Sequence, residues 1–191
     1  MNKNKFVKFL QSFVAIPLFA ATMPLAGLPA MPATAVLSSN SAIESPAITT
    51  QDEAIRKAHI DAINSFLSDK NSPLAGYGEK FVDESYANDL DWRLLVAISG
   101  RETTFGKNMC KSPKANNNPF GWGSCKIGFK SIDESIEVLA KNLGGNNPTT
   151  AKHYDGKTTL EVLRKYNTVI PNYPKQVVKI MKMIDDTDQV E

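Results

Sequence analysis

From about position 50 onward, apolar residues recur at three- and four-residue spacing, and no alternating strand pattern stands out. Thr50-x-x-Glu53 forms a capping-box pattern ahead of Ile55, His59, Ala62, Ile63 and Phe66. It predicts a first helix that Asn71-Ser72-Pro73 breaks. A second helix carries Tyr77, Phe81 and Val82 to about Ala87. The third, with Asp89 or Asp91 as cap, runs through Trp92-Arg93-Leu94-Leu95-Val96-Ala97-Ile98 and is apolar on nearly every side. Such a helix belongs in a core. It stops near Thr103-Thr104-Phe105-Gly106, where Gly106 suits a C-terminal stop. Ser131-x-x-Glu134 caps a helix with Ile132, Ile136, Leu139, Ala140 and Leu143 on one face, ended by Gly144-Gly145. Thr158-x-x-Glu161 caps another through Leu160 and Leu163, and Pro174 opens a last one with Val177, Ile180, Met181 and Ile184. The expected fold class is mainly α.

Between Lys107 and Lys130 the helical pattern disappears. This segment holds both cysteines, Asn116-Asn117-Asn118-Pro119 and Phe120-Gly121-Trp122-Gly123, and reads as an irregular lobe with room for a short β-hairpin. Long ordered loops inside compact domains are usually functional.

The N-terminus changes the charge picture. Lys3, Lys5 and Lys8 precede an uncharged run that lasts until Glu44, and Ala33-Thr34-Ala35 offers a small-x-small cleavage site. A basic start, an apolar stretch and small residues before the cut read as a secretory signal over residues 1–35. An uncleaved membrane anchor is the competing reading, and Pro17, Pro24, Pro29 and Pro32 oppose the continuous helix it needs. Residues 36–50 are small, polar and Pro-containing, as a linker is. Loss of residues 1–35 leaves 19 basic against 20 acidic residues, so the formal +2 of the chain becomes −1. No basic patch is evident in the linear sequence, and nucleic acid is set aside as a partner. With 42% hydrophobic residues the chain is ordinary for a folded domain.

An exported chain meets an oxidising compartment, where Cys110 and Cys125 are expected to pair. Two free thiols or half a metal site compete with that pairing. The absence of CxxC and the distance of His59 and His153 in the sequence oppose a metal, and no cofactor motif is present.

Glu102 lies four residues after Ile98 and seven after Leu95, so it extends their face of the central helix. That position suits a general acid, which must hold its proton until a leaving oxygen takes it. Phe120 and Trp122 stand among glycines, an arrangement suited to a platform for a sugar ring. A solvated Glu102 paired with Arg101 or Lys107, and aromatics forming a small core beneath a disulfide, explain the same residues without chemistry.

The segments Asn71-Ser72-Pro73-Leu74-Ala75-Gly76-Tyr77-Gly78 and Asp91 to Gly106 resemble the bacterial lysozyme-like superfamily, and within it exported cell-wall glucosaminidases. Three further motifs follow in that family's order: Asn118-Pro119-Phe120-Gly121-Trp122-Gly123, Phe129-Lys130-Ser131, and Tyr166-Asn167-Thr168 with Pro171-Asn172-Tyr173. The resemblance covers roughly residues 70–184. After the signal peptide at 1–35 and the linker at 36–50, it implies a lysozyme-like catalytic domain at 51–191, secreted or associated with the cell wall and without stable membrane insertion once the signal is cleaved.

The resemblance further implies a hydrolase acting on the β-1,4 bonds between N-acetylated sugars of peptidoglycan glycan strands. Glu102 would be the acid, and Asn118, Phe120, Trp122, Tyr166 and Tyr173 would serve substrate binding. Many glycosidases use a second carboxylate, and between Glu102 and Asp133 this chain has none. Attack by the substrate's own 2-acetamido group, or closure of a muramyl 6-hydroxyl into a 1,6-anhydro end as in lytic transglycosylases, needs no second carboxylate. A non-catalytic glycan-binding module fits the same departure. The segment at 166–173 is also one residue longer than the family pattern, with Val169-Ile170 where an acidic residue is common.

Overall fold

The computed structural model describes residues 49–188, with side chains as far as Asp185. The expected signal peptide and nearly all of the linker lie outside the described residues. Seven helices and no strand occur among the described residues: α1 (Thr50–Asp69), α2 (Gly78–Ala87), α3 (Leu94–Thr103), α4 (Ile132–Leu143), α5 (Ala151–Tyr154), α6 (Thr159–Tyr166) and α7 (Tyr173–Asp188). The mainly α expectation holds. The hairpin does not: the lobe between α3 and α4 is built from turns.

α3 is the axis of the domain. Leu94, Leu95, Val96, Ala97 and Ile98 are all fully buried, and the helix packs chiefly against α7, with α2 and α4 on other sides. Apolar residues over a whole turn leave this helix no solvent face, which is why its neighbours surround it. Its start is shaped by Asp91, whose Oδ1 accepts from the Arg93 backbone N–H at 3.0 Å and from Arg93 Nε at 2.8 Å. Burial raises the Asp91 pKa, but the Arg93 hydrogen bonds outweigh it and hold the carboxyl below its ordinary value. The same guanidinium reaches Asp185 of α7, fastening the two helices.

Local signals place the other helix starts. Ser131 Oγ accepts from the Glu134 N–H, and Thr158 and Glu161 complete a full capping box. At α1 the box sits one residue earlier than Thr50 predicts: Thr49 caps and Asp52 reciprocates. The chain carries the same Thr-x-x-acid pattern in two adjacent registers, and the earlier one adds a residue to the helix. Pro174 falls in the first turn of α7, where a missing N–H costs no helical hydrogen bond.

Cys110 and Cys125 are joined in a disulfide, with Cα atoms 5.8 Å apart. The link closes fifteen residues of the lobe and no part of the helical body. Replacing both cysteines by Ser is expected to lower stability by about 3 kcal/mol through restored chain entropy. A lower midpoint of urea unfolding, with unchanged helical circular dichroism before the transition, is the outcome that checks this.

Candidate active site

Glu102 sits in the last turn of α3, half-buried, while Ile98 one turn earlier is inside the core. Immediately beyond it the backbone runs left-handed for three residues, with φ of 53° at Thr104, 57° at Phe105 and 79° at Gly106. Only Gly106 adopts that region freely, so Thr104 and Phe105 hold strained conformations that their surroundings must stabilise. Phe105 folds back over Gly100, where a Cβ would stand 2.3 Å from its ring, and meets Phe66 edge-on at 5.3 Å. The Thr103 hydroxyl donates to the Pro119 carbonyl at 2.6 Å, tying the end of α3 to the lobe.

Within the lobe, Asn118 is the turn-builder. Its Oδ1 accepts from the Phe120 and Trp122 N–H groups at 3.3 and 3.1 Å, and its Nδ2 donates to the Trp122 and Ile127 carbonyls, each at 2.8 Å. The side chain is fully buried and its hydrogen-bonding capacity is spent on the loop. Asn118, expected to serve substrate binding, here shapes the loop. Phe120, also expected to contact substrate, has no exposed surface and packs edge-on against Phe81 at 6.4 Å. An aromatic ring in a glycine-rich loop is as well suited to anchoring that loop as to meeting a sugar.

Trp122 is half-exposed and does reach open space. It lies 5.8 Å from Tyr166, which stacks on Tyr173 at 5.9 Å. The Tyr166 hydroxyl donates to the Phe120 carbonyl at 2.6 Å, and the Tyr173 hydroxyl donates to Glu102 Oε1 at 2.6 Å. Tyr173, expected to serve substrate binding, is fully buried and touches the acid. Desolvation raises the pKa of both phenols, reinforced by the charge of Glu102 at Tyr166 and by the hydrogen bond to Glu102 at Tyr173. Both stay neutral donors across the physiological range. Arg101 lies 5.9 Å from the centre of the Tyr173 ring and is held by Gln176 at 2.5 Å.

These elements enclose a cleft of about 700 Å³. Glu102 and Thr103 of α3, Trp122 and Gly123 of the lobe, and Tyr166 and Asn167 at the end of α6 all line it. Gly121, at φ 62°, lies so close to the acid that a Cβ there would come within 3.2 Å of Glu102 Oε2. Tyr154 of α5 also lines the cleft, a residue that sequence reasoning missed because a four-residue helix carries no periodic signal. Among the described residues that line it, Glu102 is the one acidic side chain, and no Lys, Arg or His joins it. His59 is elsewhere, stacked on Trp92 at 4.0 Å. No cluster of three or more His, Cys, Asp or Glu that could hold a metal occurs among the described residues.

Chemically, the described lining residues offer one carboxyl group in a polar and aromatic cleft, with one oxygen held by a neutral phenol. No protein-family model matches this chain, and none of the curated proteins matches it.

Proposed function

We propose that this protein is a lysozyme-like, exported peptidoglycan glycosidase that cleaves β-1,4 bonds between N-acetylated sugars with Glu102 as general acid. The observation that carries the reading is the Glu102 carboxyl lining the cleft, the one acid among its described lining residues, with one oxygen bonded to Tyr173 and the other beside Gly121. The Cys110–Cys125 disulfide, and the absence of any membrane-length apolar helix among the described residues, suit an extracytoplasmic site of action.

The proton on Glu102 goes to the glycosidic oxygen as the bond from C1 to that oxygen breaks, and the bonding pair stays with the departing sugar. The carboxylate left behind keeps the Tyr173 hydrogen bond on Oε1, which stabilises the new charge. With no second acid among the described residues that line the cleft, the nucleophile comes from the substrate. The carbonyl oxygen of the 2-acetamido group closes on C1, and water then opens the ring and returns a proton to Glu102. Where a muramyl 6-hydroxyl is free, its oxygen closes on C1 instead, its proton passes to Glu102, and a 1,6-anhydro end results.

Digestion of purified peptidoglycan by residues 36–191, with mass spectrometry of the soluble products, tests this reading. Fragments ending in reducing GlcNAc, reducing MurNAc or 1,6-anhydro-MurNAc identify the bond and the route. The lone carboxylate also fits a wall-binding module without turnover, and wall binding with no released fragments from several wall types would establish that reading instead. Trp122→Ala is expected to weaken glycan affinity about tenfold, or ~1.4 kcal/mol, by removing the exposed aromatic face. Co-sedimentation with insoluble wall at increasing protein concentration measures it, and unchanged affinity would remove Trp122 from the sugar contact.

A further inference from the structure

Glu102's cleft does not end at Asn167. That residue also lines a second cavity of about 530 Å³, bounded by Leu160, Arg164, Ile170, Pro174 and Lys175. Arg164 and Thr168 in turn border a third, of about 340 Å³, whose rim carries Lys157 and Lys165. A groove along α6 thus continues from the cleft, with four cations on its walls.

Several cations on the helical body are neutralised where they stand. Arg56, Lys80, Arg93 and Lys141 each pair with a carboxylate on or beside α1, α2, α4 or α7. Lys157, Arg164, Lys165 and Lys175 form no ion pair among the described residues. Glu161, the one acid on the groove walls, is occupied by its cap, accepting from the Thr158 N–H at 2.9 Å and its hydroxyl at 2.8 Å. His153, on the same rim, has its pKa lowered first by desolvation and then by the Lys165 and Lys152 ammoniums. Unpaired cations around a concave surface concentrate anionic groups there, and an Arg fork is shaped for a carboxylate.

We propose that this groove holds the acidic peptide branch of a glycan strand whose sugars lie in the Glu102 cleft. The inference rests on the glycan reading of that cleft. A branch is favoured over a separate polyanion because both spaces border Asn167, which places them within reach of one molecule. The groove also sets Leu160, which is 44% exposed, with Ile170 and Pro174 beside the cations. Alkyl surface next to cations matches a short peptide with aliphatic side chains and carboxylates.

The test measures binding of soluble glycan oligomers with their peptide branches, and of the same oligomers stripped by an amidase. The chain carries Glu102→Gln to prevent turnover, with or without Arg164→Gln and Lys175→Gln. At 50 mM salt the branched oligomers should bind at least tenfold more tightly. The two groove substitutions should erase that gap and leave affinity for stripped oligomers unchanged. Raising salt to 300 mM should narrow the gap with the groove intact, a readout that does not depend on the groove variant folding. Equal binding of both oligomers at low salt, or a gap that survives both salt and substitution, overturns the groove assignment while the cleft reading stands. Binding of neither oligomer overturns the cleft reading itself.

Discussion

Glu102→Gln is expected to slow release of soluble glycan fragments by about 10²- to 10⁴-fold, the range that a positioned general acid supplies. The amide has nearly the shape of the acid and no proton to give. Its carbonyl can still accept from the Tyr173 hydroxyl that now meets Oε1 at 2.6 Å. Stability is therefore expected to stay within about 1 kcal/mol of the parent. Wall binding should persist, since Trp122 and Tyr166 are untouched. Initial rates of fragment release, with thermal unfolding of the same preparations, separate lost chemistry from lost fold. A variant retaining a tenth or more of the parent rate would remove Glu102 from the acid role, and no other acid lines the cleft to inherit it.

Phe120→Ala is expected to be costly for a different reason. The ring is fully buried against Phe81, and its removal leaves a cavity that the surrounding helices cannot close. Loss of a buried Phe typically costs about 3–5 kcal/mol, a large part of the roughly 5–15 kcal/mol that holds a domain together. For a domain of this size that corresponds to a fall in Tm of roughly 10–20 °C. The Phe120 carbonyl also accepts the Tyr166 hydroxyl, so movement of this residue displaces one wall of the cleft. Scanning calorimetry measures the effect. A parent-like Tm combined with weakened glycan affinity would return Phe120 to the role of a sugar contact.

The contrast between Phe120 and Trp122 shows where sequence reasoning stops. Helix starts at Ser131 and Thr158 were legible because a cap is a local device, complete within four residues. Burial of α3 was legible because an apolar run has no polar face to show to water. Two aromatics separated by one glycine carry no such mark, and only the packed structure sends one ring inward and leaves the other in the cleft. Tyr173 was named as a site residue, yet its partner was not evident, because nothing in a linear pattern couples residues 71 apart. α5 was invisible at four residues, and with it Tyr154.

The contacts that finish the cleft join distant parts of the chain: Tyr173 to Glu102 across 71 residues, and Tyr166 to Phe120 across 46. Ribosomes make proteins from the N-terminus, so α3 and the lobe emerge long before α7. Until the final helix docks, Glu102 has no phenol beside it and its cleft lacks the tyrosine side. Loops this long close late because their ends must meet before any contact rewards the lost freedom. A chain cut short before Tyr173 carries the acid without the phenol that meets it in the finished fold.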